Sequence, residues 1–203
     1  MLEKEPVRNL VTIIILLVAV GVVLFSQSIL FHTKFSPTPA SVYTGAPSGL
    51  DMTTWKIYSD TKNGFEIKYP PSANVVDPGS DDQFHAGLPV SETGTNLSSK
   101  YIAIRAHGVE EVACANPLGA EVSNSQNVQF QGIYFTKEIG QGVGAGQIYD
   151  SETYSTIKDK TCINIMFVLH SSNQGMYPPL VPFNHDQEAK IFAEIMDTFK
   201  LTR

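Results

Sequence analysis

Between Leu10 and Phe31 the chain reads LVTIIILLVAVGVVLFSQSILF, 22 residues without a charge. As a helix rising 1.5 Å per residue this run spans about 33 Å, the thickness of one hydrocarbon core. It is apolar on every face, so a helix half-exposed on a globular surface is excluded. A signal peptide cut near Ser26-Gln27-Ser28 is the competing reading. The length of the run and its resumption at Ile29-Leu30-Phe31 argue against cleavage. The expected organisation is therefore a tail over residues 1–9, a single transmembrane signal anchor over 10–31, a linker over 32–52 and a domain over 53–203. Lys4 and Arg8 precede the run and Lys34 alone closely follows it, which favours a cytoplasmic N-terminus, a cell-membrane location and an extracytoplasmic domain. The membrane would be a partner through this N-terminal helix.

The linker is rich in Pro, Ser, Thr and Gly and has no apolar period, as a semi-extended spacer does. About 150 residues remain for the domain, enough to bury roughly 70% of the unfolded surface. Against 14 Lys+Arg stand 20 Asp+Glu, a net charge of −6. Lys4 and Arg8 balance Glu3 and Glu5, so that charge belongs to the outer part. An acidic domain lacks the basic face that general phosphate attraction requires, which excludes nucleic acid as a partner.

Strands are expected where apolar and polar residues alternate. Trp55-Lys56-Ile57-Tyr58-Ser59 and Phe65-Glu66-Ile67-Lys68-Tyr69 flank Asn63-Gly64, a hairpin signal, and Pro70-Pro71 ends the second strand. Further strands are expected over 101–107, 128–137, 147–157 and 161–170, the last two joined by Lys158-Asp159-Lys160. The strand from Thr161 to His170 is apolar on both faces, as in a central strand with two covers. Asn184 with Gln187 three residues on reads as a helix N-cap, leading into a stripe of Ile191, Phe192, Ile195 and Met196. Asp186 and Glu188 suit the positive end of that helix. A short closing strand follows over 198–202. Hairpins first and a major helix late give an α+β fold, a mainly antiparallel β-sheet covered by helices behind the transmembrane helix.

The only two cysteines, Cys114 and Cys162, lie in the part expected outside the cytosol and read as a disulfide. Their separation fits no metal motif, and no metal or cofactor site is expected. Gly140-Gln141-Gly142-Val143-Gly144-Ala145-Gly146 contains a G-x-G-x-x-A, but a strand and not a helix follows, so it reads as a flexible hairpin loop. Asp77, Asp81 and Asp82 read as a solvated acidic loop without a calcium-binding frame. His107 and His170 fall at expected strand ends where they would be able to meet, yet no catalytic motif accompanies them. Asn96-Leu97-Ser98 matches a glycosylation sequon. The loop containing Met176, Tyr177 and Leu180 is the expected recognition surface.

Trp55-Lys56-Ile57-Tyr58 with Asn63-Gly64-Phe65-Glu66-Ile67-Lys68-Tyr69-Pro70 resembles the opening of PsbP-like and DcrB-like extracytoplasmic domains. Ile195-Met196-Asp197-Thr198-Phe199-Lys200-Leu201 resembles their close. The resemblance covers about 25 residues at the two ends. It implies an antiparallel sheet sandwiched by helices in small membrane-anchored bacterial proteins that assist larger assemblies, and it transfers no site residue. The expected function is a non-enzymatic accessory or binding domain for an envelope protein or small ligand. The alternative is an envelope hydrolase or other enzyme whose site assembles only in three dimensions.

Overall fold

The computed structural model describes residues 41–42, 52–79, 82–109, 114, 116–175 and 180–202, with side chains described from residue 52 onward. Strands, in chain order, are β1 (Ser41–Val42), β2 (Lys56–Asp60), β3 (Phe65–Tyr69), β4 (Asn74–Val76), β5 (Phe84–Leu88), β6 (Leu97–Gly108), β7 (Glu121–Phe130), β8 (Ile133–Gly144), β9 (Gln147–Lys158), β10 (Thr161–Ser172) and β11 (Lys200–Leu201). One α-helix, α1 (His185–Met196), and a 3-10 turn at Met52–Thr54 complete the described elements. The large sheet runs β1-β7-β8-β9-β10-β6-β5-β4, and a small sheet runs β11-β3-β2. All pairs are antiparallel except β1 with β7.

The meander from β7 to β10 is built from three two-residue connections, Gln131-Gly132, Ala145-Gly146 and Asp159-Lys160, each with both residues at positive φ. Such turns match the twist of their flanking strands. The last falls at the expected Lys158-Asp159-Lys160 turn and the second at the end of the expected 140–146 loop, while the first falls inside an expected strand. Residues 128–137 are accordingly not one strand, as expected, but the end of β7, a turn and the start of β8. At Asn63-Gly64 the connection is also longer than expected. Gly64 alone has φ +70°, while the Asp60 carboxylate accepts from the Asn63 backbone N–H at 2.9 Å and its side-chain amide at 2.7 Å. Glycine suits that position, because side-chain-bearing residues rarely adopt this φ and a Cβ would come within 3.1 Å of the Thr202 carbonyl, to which, as to the Gly64 carbonyl, the Lys158 ammonium donates.

Register sorts β10 into two faces. Ile163, Ile165, Phe167 and Leu169 join Ile102 and Ile104 of β6, Phe84 and Ala86 of β5, Tyr154 of β9 and Phe135 of β8 on one side. This helix face is covered by α1 and the small sheet. Phe192 stacks on Phe167 at 4.6 Å, Phe199 lies 5.8 Å from Phe65 and 5.4 Å from Phe135, and Tyr58 stacks on Phe84 at 4.6 Å. On the other side lie Cys162, Asn164, Met166 and Val168, all buried. There the disulfide partner Cys114 and the segment that follows it cross β8 to β10. This is the disulfide face.

The expected class, a sheet covered by helices behind a transmembrane helix, is therefore corrected. One helix covers part of one face, and a second sheet and a crosslinked segment supply the rest. The cause is strand length: β6, β8, β9 and β10 each run 12 residues. Polar and glycine-rich stretches without an apolar signal are ladder, not loop. The expected anchor at 10–31 lies outside the described residues, and among those described no helix is long and apolar enough to cross a membrane. Two residues of the expected linker, Ser41 and Val42, pair with Val128 and Gln129.

The start of α1 is fixed from several directions. Asn184 accepts from the Gln187 N–H at 3.1 Å, as its cap position requires, and its own N–H donates to Glu92 Oε2 at 3.2 Å. Glu188 is fully buried and meets Lys100 of β6, 2% exposed, at 2.6 Å. The same carboxylate accepts from the Ser91 and Glu92 N–H groups, and Lys100 Nζ donates also to the Glu188 carbonyl at 3.1 Å. Burial pushes the Glu188 carboxyl up. The hydrogen bonds from Lys100, Ser91 and Glu92 and the Lys100 charge outweigh that and hold it below its ordinary value. The Asn96 side chain is committed as well, donating to the Ser172 carbonyl and accepting from the Phe183 N–H. It is buried, which removes the sequon from modification in the folded state.

Removing one partner of a buried pair strands the other, so Lys100→Met is expected to cost about 3–5 kcal/mol in urea unfolding. Lys200→Met, which breaks an exposed 3.7 Å pair with Glu66, is expected to cost less than about 1 kcal/mol. Lys100→Met with Glu188→Gln is expected to recover part of the loss. Because the folded pKa of Glu188 is depressed, its contribution is complete above the unfolded value of about 4.3 and is lost as pH falls through the folded one. The acid limb of the wild-type stability curve should therefore be flattened in the double variant; an unchanged limb counts against this assignment.

Candidate functional site

On the disulfide face, β8 carries Gly140, Gly142 and Gly144 at alternate positions, so three successive side-chain sites of one strand are empty. Register sets Gly140 opposite Ser151 and Gly142 opposite Tyr149 of β9, and these set Val168 and His170 of β10 beyond them. Tyr101 of β6 pairs with Val168. The result is a trough floored by Gly142, Gly144, Ser151 and Val168, with Tyr101 and Tyr149 rising from it and Leu118 and Ala120 forming the opposite wall. Its volume is about 270 Å³.

Each wall is held in place. Tyr149 stacks on His170 with rings 4.4 Å apart and 2° from parallel. His170 in turn is fixed at both nitrogens, by Gln147 Oε1 at 2.8 Å and Ser99 Oγ at 3.3 Å. Tyr101 stacks on His85 at 5.0 Å, and Asp82 bridges from His85 at 3.6 Å to Arg105 at 2.6 Å. Burial pushes the Tyr101 phenol up, Tyr149 and Asp82 push it further, and Arg105 opposes them weakly. Tyr101 is thus kept as a neutral hydroxyl.

The far wall depends on the crosslink. Cys114–Cys162 joins the segment to β10 with Cα atoms 5.4 Å apart, as the sequence led us to expect. The Asn116 N–H donates to Glu138 Oε2 at 2.9 Å and the Leu118 N–H to Asn116 Oδ1 at 3.0 Å. Gly140 lets this segment lie flat, since a Cβ there would come within 3.1 Å of the Glu121 carbonyl and 3.2 Å of the Ala120 Cβ.

The expected flexible loop over 140–146 is thereby corrected: residues to Gly144 belong to β8, and only Ala145-Gly146 turn. His107 and His170 are not brought together. His170 is level with Ser99 and His107 with Cys162, at opposite ends of the β6–β10 ladder, so about eight residues of strand, roughly 27 Å, separate them. Asp82 is engaged by Arg105 and His85, and Asp77 accepts from Gly79 N–H. Among the described residues no group of three or more His, Cys, Asp or Glu is placed to hold a metal ion. Of the expected recognition loop, Leu180 is exposed beside the more exposed Val181, while Met176 and Tyr177 lie outside the described residues. The aromatic trough was not anticipated, although glycines at every second position are the pattern of one bared strand face.

No protein-family model matches the sequence, and no curated protein matches it. Solved structures similar to the chain include one from Bacteroides thetaiotaomicron VPI-5482, at 14% identity and a TM-score of 0.47, over 74% of this chain and 49% of that one. This chain thus spans about half the length of that protein. Cyanobacterial PsbP (CyanoP) from Synechocystis sp. PCC 6803 is similar at 13% identity and a TM-score of 0.37, over 78% of this chain and 98% of that one. LpqN of Mycobacterium tuberculosis, described as involved in cell envelope biogenesis, is similar at 9% identity and a TM-score of 0.43, over 73% and 91%.

Replacing both Cys114 and Cys162 by alanine opens a loop of about 49 residues and is expected to cost about 2–4 kcal/mol. Amide exchange at Asn116 and Leu118 should accelerate more than at the β9–β10 ladder. Equal acceleration throughout would show that the crosslink has no special hold on the trough wall.

Proposed function

We propose that residues 53–203 form a non-enzymatic binding domain that works outside the cytosol. Its recognition element takes an apolar or aromatic group, from a small ligand or from an envelope partner's side chain, into the trough between Tyr101 and Tyr149. The observation that carries this reading is the floor of alternate glycines between two stacked, immobilised tyrosines. Strand glycines weaken a sheet and characteristically mark a place where another group approaches closely. The lining combines apolar carbon with hydroxyls, a mixture suited to orienting a ligand rather than transforming it. The disulfide supports an oxidising compartment.

Phenol and indole serve as probes. Titrated into labelled protein, they are expected to shift the methyl resonances of Leu118 and Val168. Gly142→Val, which fills the trough, should weaken that binding at least about tenfold with little change in melting temperature. Shifts that gather elsewhere, or that survive Gly142→Val, would reject the trough as the site. Alkylation of Cys114 and Cys162 in intact cells without reductant would reject the compartment.

A further inference from the structure

A second site is indicated on the opposite side of the large sheet, where β7 forms an edge. Among the described strands the other edges are short or guarded. β4 has three residues between Pro70-Pro71 and Pro78, β11 has two, and β2 has five with charges at Lys56 and Asp60. β7 has ten, and from Val122 to Phe130 it contains neither a charge nor a proline, the usual protections of an edge. Glu121 to Asn127 are all exposed. The edge already accepts a strand, since β1 pairs with it in parallel at Val128 and Gln129. The chain's own sequence is poorly suited to extend that pairing. Carried back in the same register, Pro39 and Pro37 would fall opposite Gln126 and Asn124, and proline has no N–H to donate.

Beside this edge, on the helix face, α1 stands over β9 and β10 and leaves a groove of about 370 Å³ open toward β7. Its floor includes Val128, Phe130 and Tyr154, and its α1 wall Ala189, Lys190 and Ala193. Lys137 and Glu152 close on each other at 2.8 Å, with the Tyr154 hydroxyl on the same carboxylate oxygen at 2.8 Å, so the charges in the floor are already matched. Gln126 and Val128 belong both to the edge strand and to the groove.

We infer that this edge and groove form a site for an extended peptide segment of a partner protein. The segment adds to β7 over Glu121 to Asn127 through its main chain, and an apolar side chain on its helix-face side enters the groove between Val128 and Ala189. Main-chain pairing supplies affinity and the groove supplies selectivity, as in other strand additions beside a helix. The site is independent of the Tyr101/Tyr149 trough, which lies on the other face.

The test uses the full chain and a phage-displayed random decapeptide library as the probe. Selected peptides are expected to share one apolar residue flanked at alternate positions by tolerant ones. They should slow amide exchange within Glu121–Asn127 and lose at least about tenfold in affinity on Ala189→Trp, which fills the groove. Ser125→Pro, on the exposed edge, should weaken them similarly, and both variants should keep the wild-type circular dichroism. Gly142→Val should leave peptide binding unchanged. Absence of enrichment, protection confined to another surface, or binding indifferent to Ala189→Trp each overturns the proposal, as does edge protection produced by a second copy of the chain alone.

Discussion

The Lys100–Glu188 pair is the junction on which the two layers depend. Both side chains are out of solvent, so neither charge is tolerable without the other. Lys100 comes from the middle of the large sheet and Glu188 from the first turn of the only described helix. The backbone at Ser91 and Glu92 closes the remaining acceptor positions. Hydrophobic contacts such as Phe167 on Phe192 hold α1 down, but they tolerate sliding. A 2.6 Å charged contact with two further N–H groups does not, and it fixes where along β6 the helix begins. The width of the groove beside β7 follows from that placement, because Ala189 and Lys190 are the residues next to Glu188.

The two faces of the large sheet are finished by different means. The helix face is closed by large side chains meeting at 4.6 to 5.8 Å, as ordinary cores are. The disulfide face holds Ser151, Thr153, Ser155 and Asn164, all buried, and Asn164 Nδ2 donates to Ser155 Oγ at 2.8 Å. A short covalently pinned segment covers polar residues more economically than a helix, whose apolar stripe would find little to pack on. It also leaves the glycine positions uncovered, and the trough is what remains.

Elements with a strong local signal were legible in the sequence. Alternation in Phe65–Tyr69 and Thr161–His170, the Asn184 cap and the cysteine pair all reappear in place. The first part of β7 and the last part of β8 were not legible, because Ser-Asn-Ser-Gln-Asn and Gly-Gln-Gly-Val-Gly have no apolar period; their partners, not their own side chains, make them strands. Glu188 reads in the sequence as an acid suited to the helix dipole, and nothing local marks it as the mate of a lysine 88 residues away. The trough was hidden for a related reason. Its signal lies in missing side chains, which a search for chemistry-bearing residues passes over.

The placement of Cys114 bears on how the chain finds this fold. β7 to β10 form by hairpins two residues wide, but β6 must pair with β10 across the whole intervening meander, and such distant pairings are slow. Cys114 lies six residues beyond the end of β6 and Cys162 is the second residue of β10. Once oxidised, the pair brings those two strand ends within a few residues of each other along the crosslinked path. The bond thus turns the most distant antiparallel pairing of the large sheet into a local one, and oxidation and assembly of the sheet centre become a single coupled event.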